Sequence, residues 1–172
     1  MLLPPWSEDA RLKELRRYEI LDTPNESEFD DIVKLASQIC GTPISIVNLI
    51  DADRQWFKAE VGFGVRETPL DNSICAHAIL QEDFFVIPDT TKDVRFQTNP
   101  LVTGDPNLRF YAGALLETSE GLPLGTLCVL DYEPRELSEA QIFALQALAR
   151  QVMSQIELRR ALSEKQKVER KV

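Results

Sequence analysis

The sequence predicts an α/β domain of the α+β kind: a central, mostly antiparallel sheet, terminal helices packed on one face, and a pocket formed by a short helix and a loop on the other. Three observations predict it. Two apolar segment pairs, Pro43 to Val61 and Phe110 to Leu130, are each broken by a short polar turn, as β-hairpins are. Helical patterns precede the first hairpin and follow the second, so the terminal helices share a face. Between the hairpins lies the irregular stretch Asp89 to Asn107, with Pro100, Gly104 and Pro106. Ordered loops of that length in compact domains are usually functional, and a pocket between such a loop and the sheet is the natural ligand site.

Each element has a local reason. Ser7, followed by Glu8 and Asp9 at the positive end of a helix dipole, opens a first helix to about Tyr18, with Leu12, Leu15 and Tyr18 as its apolar stripe. Thr23-Pro24-Asn25-Glu26 reads as a capping box opening a second helix. Its apolar positions Phe29, Ile32, Val33, Ala36, Ile39 and Cys40 recur at helical spacing, and Gly41 with Pro43 stops it. Pro43 to Ile50 is β-branched and apolar on both faces, as a central strand is, and Gln55 to Val61 returns beside it across Asp51 to Arg54. Ser73 or Asn72 caps a short helix holding Ile74, Ala76, Ala78 and Ile79, and Phe84 to Ile87 is a short strand ended by Pro88. The loop that follows has room for at most one helical turn. Thr118 to Gly121 turns the second hairpin, and Ser138 with Gln141 forms a capping box for the last helix.

Composition bounds the function. A chain of 172 residues with 44% hydrophobic and 27% charged residues is one domain able to bury a full core without metal or disulfide staples. A net charge of −9 repels phosphate polymers, so no nucleic-acid partner is expected. Three cysteines do not make a disulfide framework and fit a reducing compartment. The start, Met1 to Trp6, lacks a signal-peptide pattern and no stretch reaches the ~20 apolar residues of a membrane span, so a cytoplasmic protein without a membrane partner is expected.

From Ser138 to about Arg170 the last helix would run ~48 Å at 1.5 Å per residue, beyond the width of a small domain. Leu145, Leu148, Val152 and Ile156 form its apolar stripe. From Glu157 onward six basic residues stand against three acidic ones, leaving −12 on the rest. One reading is a solvated helix end; the other is that two copies pair through Leu145, Leu148, Val152 and Ile156. The domain is placed at residues 1–160, with 161–172 as the projecting end.

For chemistry, His77 is the sole histidine, so any Ser/His/Asp triad depends on it. Cys75 lies two positions away, and helical residues two apart do not face each other, which argues against a shared metal or a nucleophile–base pair. No metal site and no cofactor are expected, since His/Cys clusters and phosphate-loop motifs are missing. Asp89, Asp93, Arg95 and Arg109 flank the irregular loop; each either binds a ligand or pairs with a neighbour. Strand alternation sends Arg109 and Tyr111 to the pocket side and Phe110 to the other. Trp56, Phe57, Phe96 and Tyr111 are candidate pocket walls, with Ser73, Cys75 and His77 on the short helix beside them; filling the core is the commoner fate of aromatics.

The runs Ile20-Leu21-Asp22-Thr23-Pro24, Phe29-Asp30, Arg54-Gln55-Trp56-Phe57-Lys58, Ser73-Ile74-Cys75-Ala76-His77-Ala78-Ile79, Asn99-Pro100-Leu101-Val102, Arg109-Phe110-Tyr111-Ala112-Gly113 and Gly125-Thr126-Leu127-Cys128-Val129 appear in the order found in one branch of the GAF-domain family. From about Leu12 to Arg160 the chain resembles the GAF modules that precede histidine kinases and diguanylate cyclases in bacteria. The resemblance implies an antiparallel sheet flanked by helices and a sensory or regulatory role, usually as a homodimer through the terminal helices. It also implies an unidentified small-molecule ligand and a histidine kinase or diguanylate cyclase output domain, in cis or in trans. The dispersed Asn-Lys-Phe-Asp-Glu signature of cyclic-nucleotide-binding members is not found. The adjacent Cys-His of bilin-binding members is interrupted here by Ala76. Free methionine sulfoxide reductases carry paired cysteines near the pocket; Cys75 matches one, the loop from Asp93 to Asp105 holds no second, and Cys128, on a strand, is a poor substitute. The leading expectation is therefore a non-enzymatic sensor signalling through its last helix. The competing readings are a Cys75-dependent reductase and a ligand-free dimerisation module.

Overall fold

A computed structural model describes residues 4–71, 73–81 and 84–171; Asn72, one of the two candidate caps, lies outside them. Six strands form a single antiparallel sheet in the order β3-β2-β1-β6-β5-β4. The strands are β1 (Ile44–Ile50), β2 (Arg54–Val61), β3 (Glu67–Pro69), β4 (Phe84–Ile87), β5 (Phe110–Glu117) and β6 (Pro123–Asp131). Helices α1 (Glu8–Arg17), α2 (Ser27–Cys40) and α5 (Glu139–Arg170) belong to one layer; α3 (Ile74–Ala78), a 3-10 turn (Thr90–Lys92) and α4 (Pro100–Thr103) belong to the other.

Strand alternation divides the core into two layers. Val47 and Leu49 of β1 pack with Phe29, Val33, Trp56, Phe110 and Val152 on the terminal-helix side. Ile44, Ile46 and Ile50 point the other way, toward Phe57, Ile74, Leu108 and Tyr111. Phe110 and Tyr111 fall on opposite sides, as the alternation predicts.

One irregularity shapes the pocket side. Phe57 pairs with Asn48 and Ala59 with Val47, so Lys58 is the extra residue of a β-bulge. Trp56 and Ala59 both lie in the helix-side layer, and Lys58 reaches the same way, its ammonium 5.4 Å from the centre of the Phe29 ring. A bulge lets a strand re-aim its side chains beside a site. The buried ammonium is met by Thr23 Oγ1 at 2.8 Å, by the Pro24 carbonyl at 2.7 Å and by the Glu26 carboxylate, which also binds Arg159 Nε of α5 at 2.8 Å.

Three local expectations change. Thr23 does not cap α2: its hydroxyl turns to the Ile20 carbonyl, the N-cap is Glu26, and the Glu26 side chain goes to Lys58 rather than into a capping box. The buried cation outcompetes the backbone amides for both side chains. The short edge strand β3 was not expected, and the loop holds a 3-10 turn as well as a helical turn, capped by Asp89 and Asn99. Ser7, Ser73 and Ser138 cap as expected, Ser138 in a full capping box with Gln141, and Gly41 ends α2 in the left-handed conformation.

The expected pairing seam is the largest correction. Leu145, Val152 and Ile156 are buried against the chain's own sheet, and Leu148 packs on the same cluster. Leu145, Val152 and Ile156 are thus spent within the fold and cannot also face a second copy, while Leu148 is half-buried at its edge. Phe143, Leu158, Leu162 and Val168 are the exposed large apolar residues of α5.

Candidate functional site

Between the sheet and the α3/α4 layer lies a cavity of about 350 Å³, within the size range of small-molecule sites. Ile46, Phe57, Phe63, Ile74, Leu101, Leu108 and Leu130 make its apolar walls. Its polar groups are few and come from identifiable positions. Asn48 is the one polar residue at the pocket-facing positions of β1, and its amide donates to Gln55 Oε1 at 2.6 Å; Gln55 in turn donates to Thr68 Oγ1 at 2.9 Å. Asp71 stands exposed in the lining and is the only charged residue of that lining among the described residues.

The second polar group is a sulfur cluster. Cys75, placed by the Ser73-capped helix, sits 3.0 Å from Tyr111 Oη and accepts from Thr126 Oγ1 at 3.3 Å. Cys128 lines the same cavity, with its thiol near enough to Cys75 to bear on its titration. Burial pushes the Cys75 thiol up, but hydrogen bonds from Cys128, Thr126, Tyr111 and Asn48 outweigh it and bring Cys75 down to about 7. The Cys75 sulfur in turn raises Cys128, and burial first and the two sulfurs second raise Tyr111. Tyr111 reaches Cys75 because residue 113 is glycine: a Cβ there would stand 2.6 Å from Tyr111 Oη.

The sequence-predicted residues separate into three groups. Phe57, Cys75 and Tyr111 line the cavity. Ser73 caps α3, Arg109 donates to the Val102 and Leu108 carbonyls and so ties α4 to the start of β5, and Phe96 is buried in the same layer against Phe85 and His77. These three support the cavity without lining it. The rest lie elsewhere. Trp56 belongs to the terminal-helix layer, so the expectation that it walls the pocket is corrected; neighbours on a strand face opposite sides, and with Phe57 on the pocket side Trp56 takes the other. Asp89 caps the 3-10 turn. Asp93 pairs with Arg95, whose guanidinium lies over the Phe85 and Phe96 rings. His77 stands at the surface with one side packed edge-on against Phe96 at 5.1 Å, and is held below its ordinary value by that partial desolvation and by the Arg95 charge. Cys75 and His77 thus face different surroundings, as their spacing predicted. Among the described residues no group of three or more His, Cys, Asp or Glu could hold a metal ion.

Asn48, Gln55 and Thr126 were missed, and Cys128, set aside as a poor partner for Cys75, lines the same cavity. Asn48 breaks an otherwise apolar strand, which was a readable signal; the adjacency of Cys128 to Cys75 depends on packing between distant elements and was not.

The GAF domain family matches residues 24–156. This chain is a GAF domain protein. It is 42% identical over 159 residues to a Pseudomonas aeruginosa protein named as a cyclic di-GMP phosphodiesterase; the match covers 91% of this chain and 27% of that protein. The chain therefore spans about a quarter of the length of that relative. Among solved structures it is similar to the GAF domain of an Acinetobacter phosphoenolpyruvate-protein phosphotransferase, with TM-score 0.65, 21% identity and coverage of 90% of this chain and 97% of that one. It is also similar to the free methionine-R-sulfoxide reductase of Neisseria meningitidis, with TM-score 0.63, 15% identity and coverage of 94% and 98%. A third is the chromophore-binding domain of a bacteriophytochrome from R. palustris, with TM-score 0.63, 15% identity and coverage of 92% and 65%. At those identities the structural likenesses establish the fold alone. The expectation of a non-enzymatic protein is overturned by the Pseudomonas relative, which is named as an enzyme. No helix among the described residues is long and apolar enough to cross a membrane.

Proposed function

We propose that this GAF domain is the regulatory module of a bacterial signalling protein that turns over cyclic di-GMP: a small molecule held in the cavity biases the packing of α5, and α5 carries the change to the output domain, in cis or in trans. The observation that carries the reading is the apolar cavity with a polar end, set on the sheet face opposite α5. A route across the sheet supports it. Phe57 lines the cavity, the next residue is the bulged Lys58, and Lys58 meets Glu26, which holds Arg159 of α5. The 42% identity to a protein named as a cyclic di-GMP phosphodiesterase supports that class of output over a histidine kinase. The module works as a homodimer in the cytoplasm, pairing through the outward residues Phe143, Leu158 and Val168 of α5, with the segment beyond residue 160 leading to the partner.

Native mass spectrometry of freshly purified protein tests this reading, because it reads subunit count and retained small molecules together. A dimer carrying a bound mass is expected; an empty monomer would contradict it.

One observation favours a second reading. Cys128 and Cys75 line one cavity, which places two thiols, as a reductase requires, at the same site. A Cys75→Ser variant that keeps full free methionine sulfoxide reductase activity would exclude it.

A further inference from the structure

Cys75 and Cys128 are brought to one end of the cavity, and the geometry fixes that end from two sides. Cys75 Sγ lies 3.0 Å from Tyr111 Oη and 3.3 Å from Thr126 Oγ1. Thr126 and Cys128 are two apart on β6, so their side chains leave the sheet on the same face, the one that carries the cavity. Cys128 also pairs directly with Gly113 of β5, and a Cβ on Gly113 would stand 2.6 Å from Tyr111 Oη. The phenol oxygen that Cys75 touches therefore lies over the residue opposite Cys128, and side chains directly opposite in an antiparallel pair start only about 4.5–5.5 Å apart. Each thiol bears on the other's titration, as groups at that range do.

The surroundings suit a small neutral oxidant. Both cysteines line the cavity, which reaches solvent at the exposed Asp71. The rest of the lining among the described residues is uncharged, so an uncharged molecule the size of water enters without losing ionic hydration. Of the two thiols Cys75 is the nucleophile, because the Tyr111 and Thr126 hydroxyls at its sulfur favour the thiolate. The third cysteine, Cys40, belongs to the terminal-helix layer on the far side of the sheet and serves as an internal control.

We propose that Cys75 and Cys128 form a peroxide-responsive redox pair, closing to a disulfide that ties α3 to β6 at the end of the cavity. The Cys75 thiolate attacks one oxygen of hydrogen peroxide or another small hydroperoxide. The O–O bond breaks, and the departing oxygen takes the proton that Cys75 released, leaving as water or an alcohol. Cys128 then attacks the sulfur of the Cys75 sulfenic acid; the S–O bond breaks, and hydroxide leaves as water with the Cys128 proton. Two electrons pass from the two thiols to the peroxide, and a dithiol reductant returns the pair by exchange. A disulfide holds its sulfurs about 2.05 Å apart, so oxidation draws the Cys75 sulfur off Tyr111 and Thr126 and reshapes the cavity. The step needs neither a bound ligand nor methionine sulfoxide, which separates it from both readings above.

The reduced 172-residue chain is treated with one equivalent of hydrogen peroxide near neutral pH, quenched with iodoacetamide under denaturing conditions and digested for mass spectrometry. The expected result is a Cys75–Cys128 linked peptide within one chain, reversed by dithiothreitol, with Cys75 lost at least about tenfold faster than Cys40. Cys128→Ser abolishes the link and leaves a Cys75 sulfenic acid that dimedone captures, whereas Cys40→Ser leaves the link unchanged. If Cys128→Ser does not fold, the peptide map of the unmodified chain decides alone. Loss of Cys75 at less than about tenfold the rate of Cys40, oxidation of Cys75 without a link, or a link to any other cysteine would overturn the pair. A link that methionine sulfoxide forms and peroxide does not would also overturn it, and would return the two thiols to the reductase reading.

Discussion

Cys75 and Asn48 occupy one cavity, yet each owes its chemistry to a different neighbour. Cys75 is a thiol surrounded by donors, with no cation near it, so its reactivity depends on Thr126, Tyr111 and Cys128 keeping their geometry. Burial favours the neutral thiol and the donors favour the thiolate, and the donors prevail. Alkylation by iodoacetamide followed by mass spectrometry should therefore show Cys75 half-reactive near pH 7. Cys40, which burial pushes up to about 11, stays unlabelled there. Thr126→Val removes one donor and moves the Cys75 midpoint upward; an unchanged midpoint would contradict the assignment. Gly113→Ala forces the Tyr111 ring away from Cys75, because the new methyl would lie 2.6 Å from Oη, and shifts the same midpoint in the same direction. At this scale the sequence made Cys75, Tyr111 and Phe57 legible through a capped short helix and strand alternation. Trp56 was misplaced by one face: as strand neighbours Trp56 and Phe57 cannot both face the cavity, and which of them does is set by the pairing of Trp56 with Leu49 on the helix side.

Among the elements, α5 divides its apolar residues between two roles. Leu145, Val152 and Ile156 fill the core, while Leu158 stands outside, 52% exposed. Ile156→Ala should lower stability by about 2–5 kcal/mol and leave the concentration dependence of the midpoint as it is in the unmodified chain, because the packing is intramolecular, whereas Leu158→Ala should weaken that dependence. Leu158→Ala should change monomer stability by no more than about 0.5 kcal/mol. Urea denaturation at two protein concentrations separates the two. The period of the stripe was readable and its destination was not, because a core-facing seam and a partner-facing seam obey the same three- and four-residue spacing.

The Lys58–Glu26–Arg159 junction joins β2, the start of α2 and α5. Burial raises the Glu26 carboxyl, but bonds to Lys58 and Arg159 prevail and hold it below the usual carboxylate value. A carboxyl lowered in the folded state contributes stability that is complete above its unfolded value of about 4.3 and is lost as pH falls through the lower, folded value. Glu26→Gln should flatten the acid limb of the stability curve. It should also cost about 3 kcal/mol at neutral pH, the low end for a broken buried pair, because Thr23 and Pro24 still accept from Lys58. An acid limb as steep as that of the unmodified protein would remove Glu26 from this role.

At the scale of the whole molecule, two faces of one sheet do separate work: one packs α5 and the other encloses the cavity. The layer arrangement was legible because hairpins and capped helices are local signals that agree with one another. The bulge, the edge strand β3 and the contact between Cys75 and Cys128 were not, since each depends on partners distant in sequence. The central claim is that the two faces are coupled, so that filling the cavity alters α5. Hydrogen exchange along α5 in a Leu101→Trp variant, whose indole enters the cavity from α4, tests it most directly. The account predicts altered protection in the segment from Ile156 to Arg170, on the far side of the sheet. Changes confined to β1, β6 and the α3/α4 layer would contradict it.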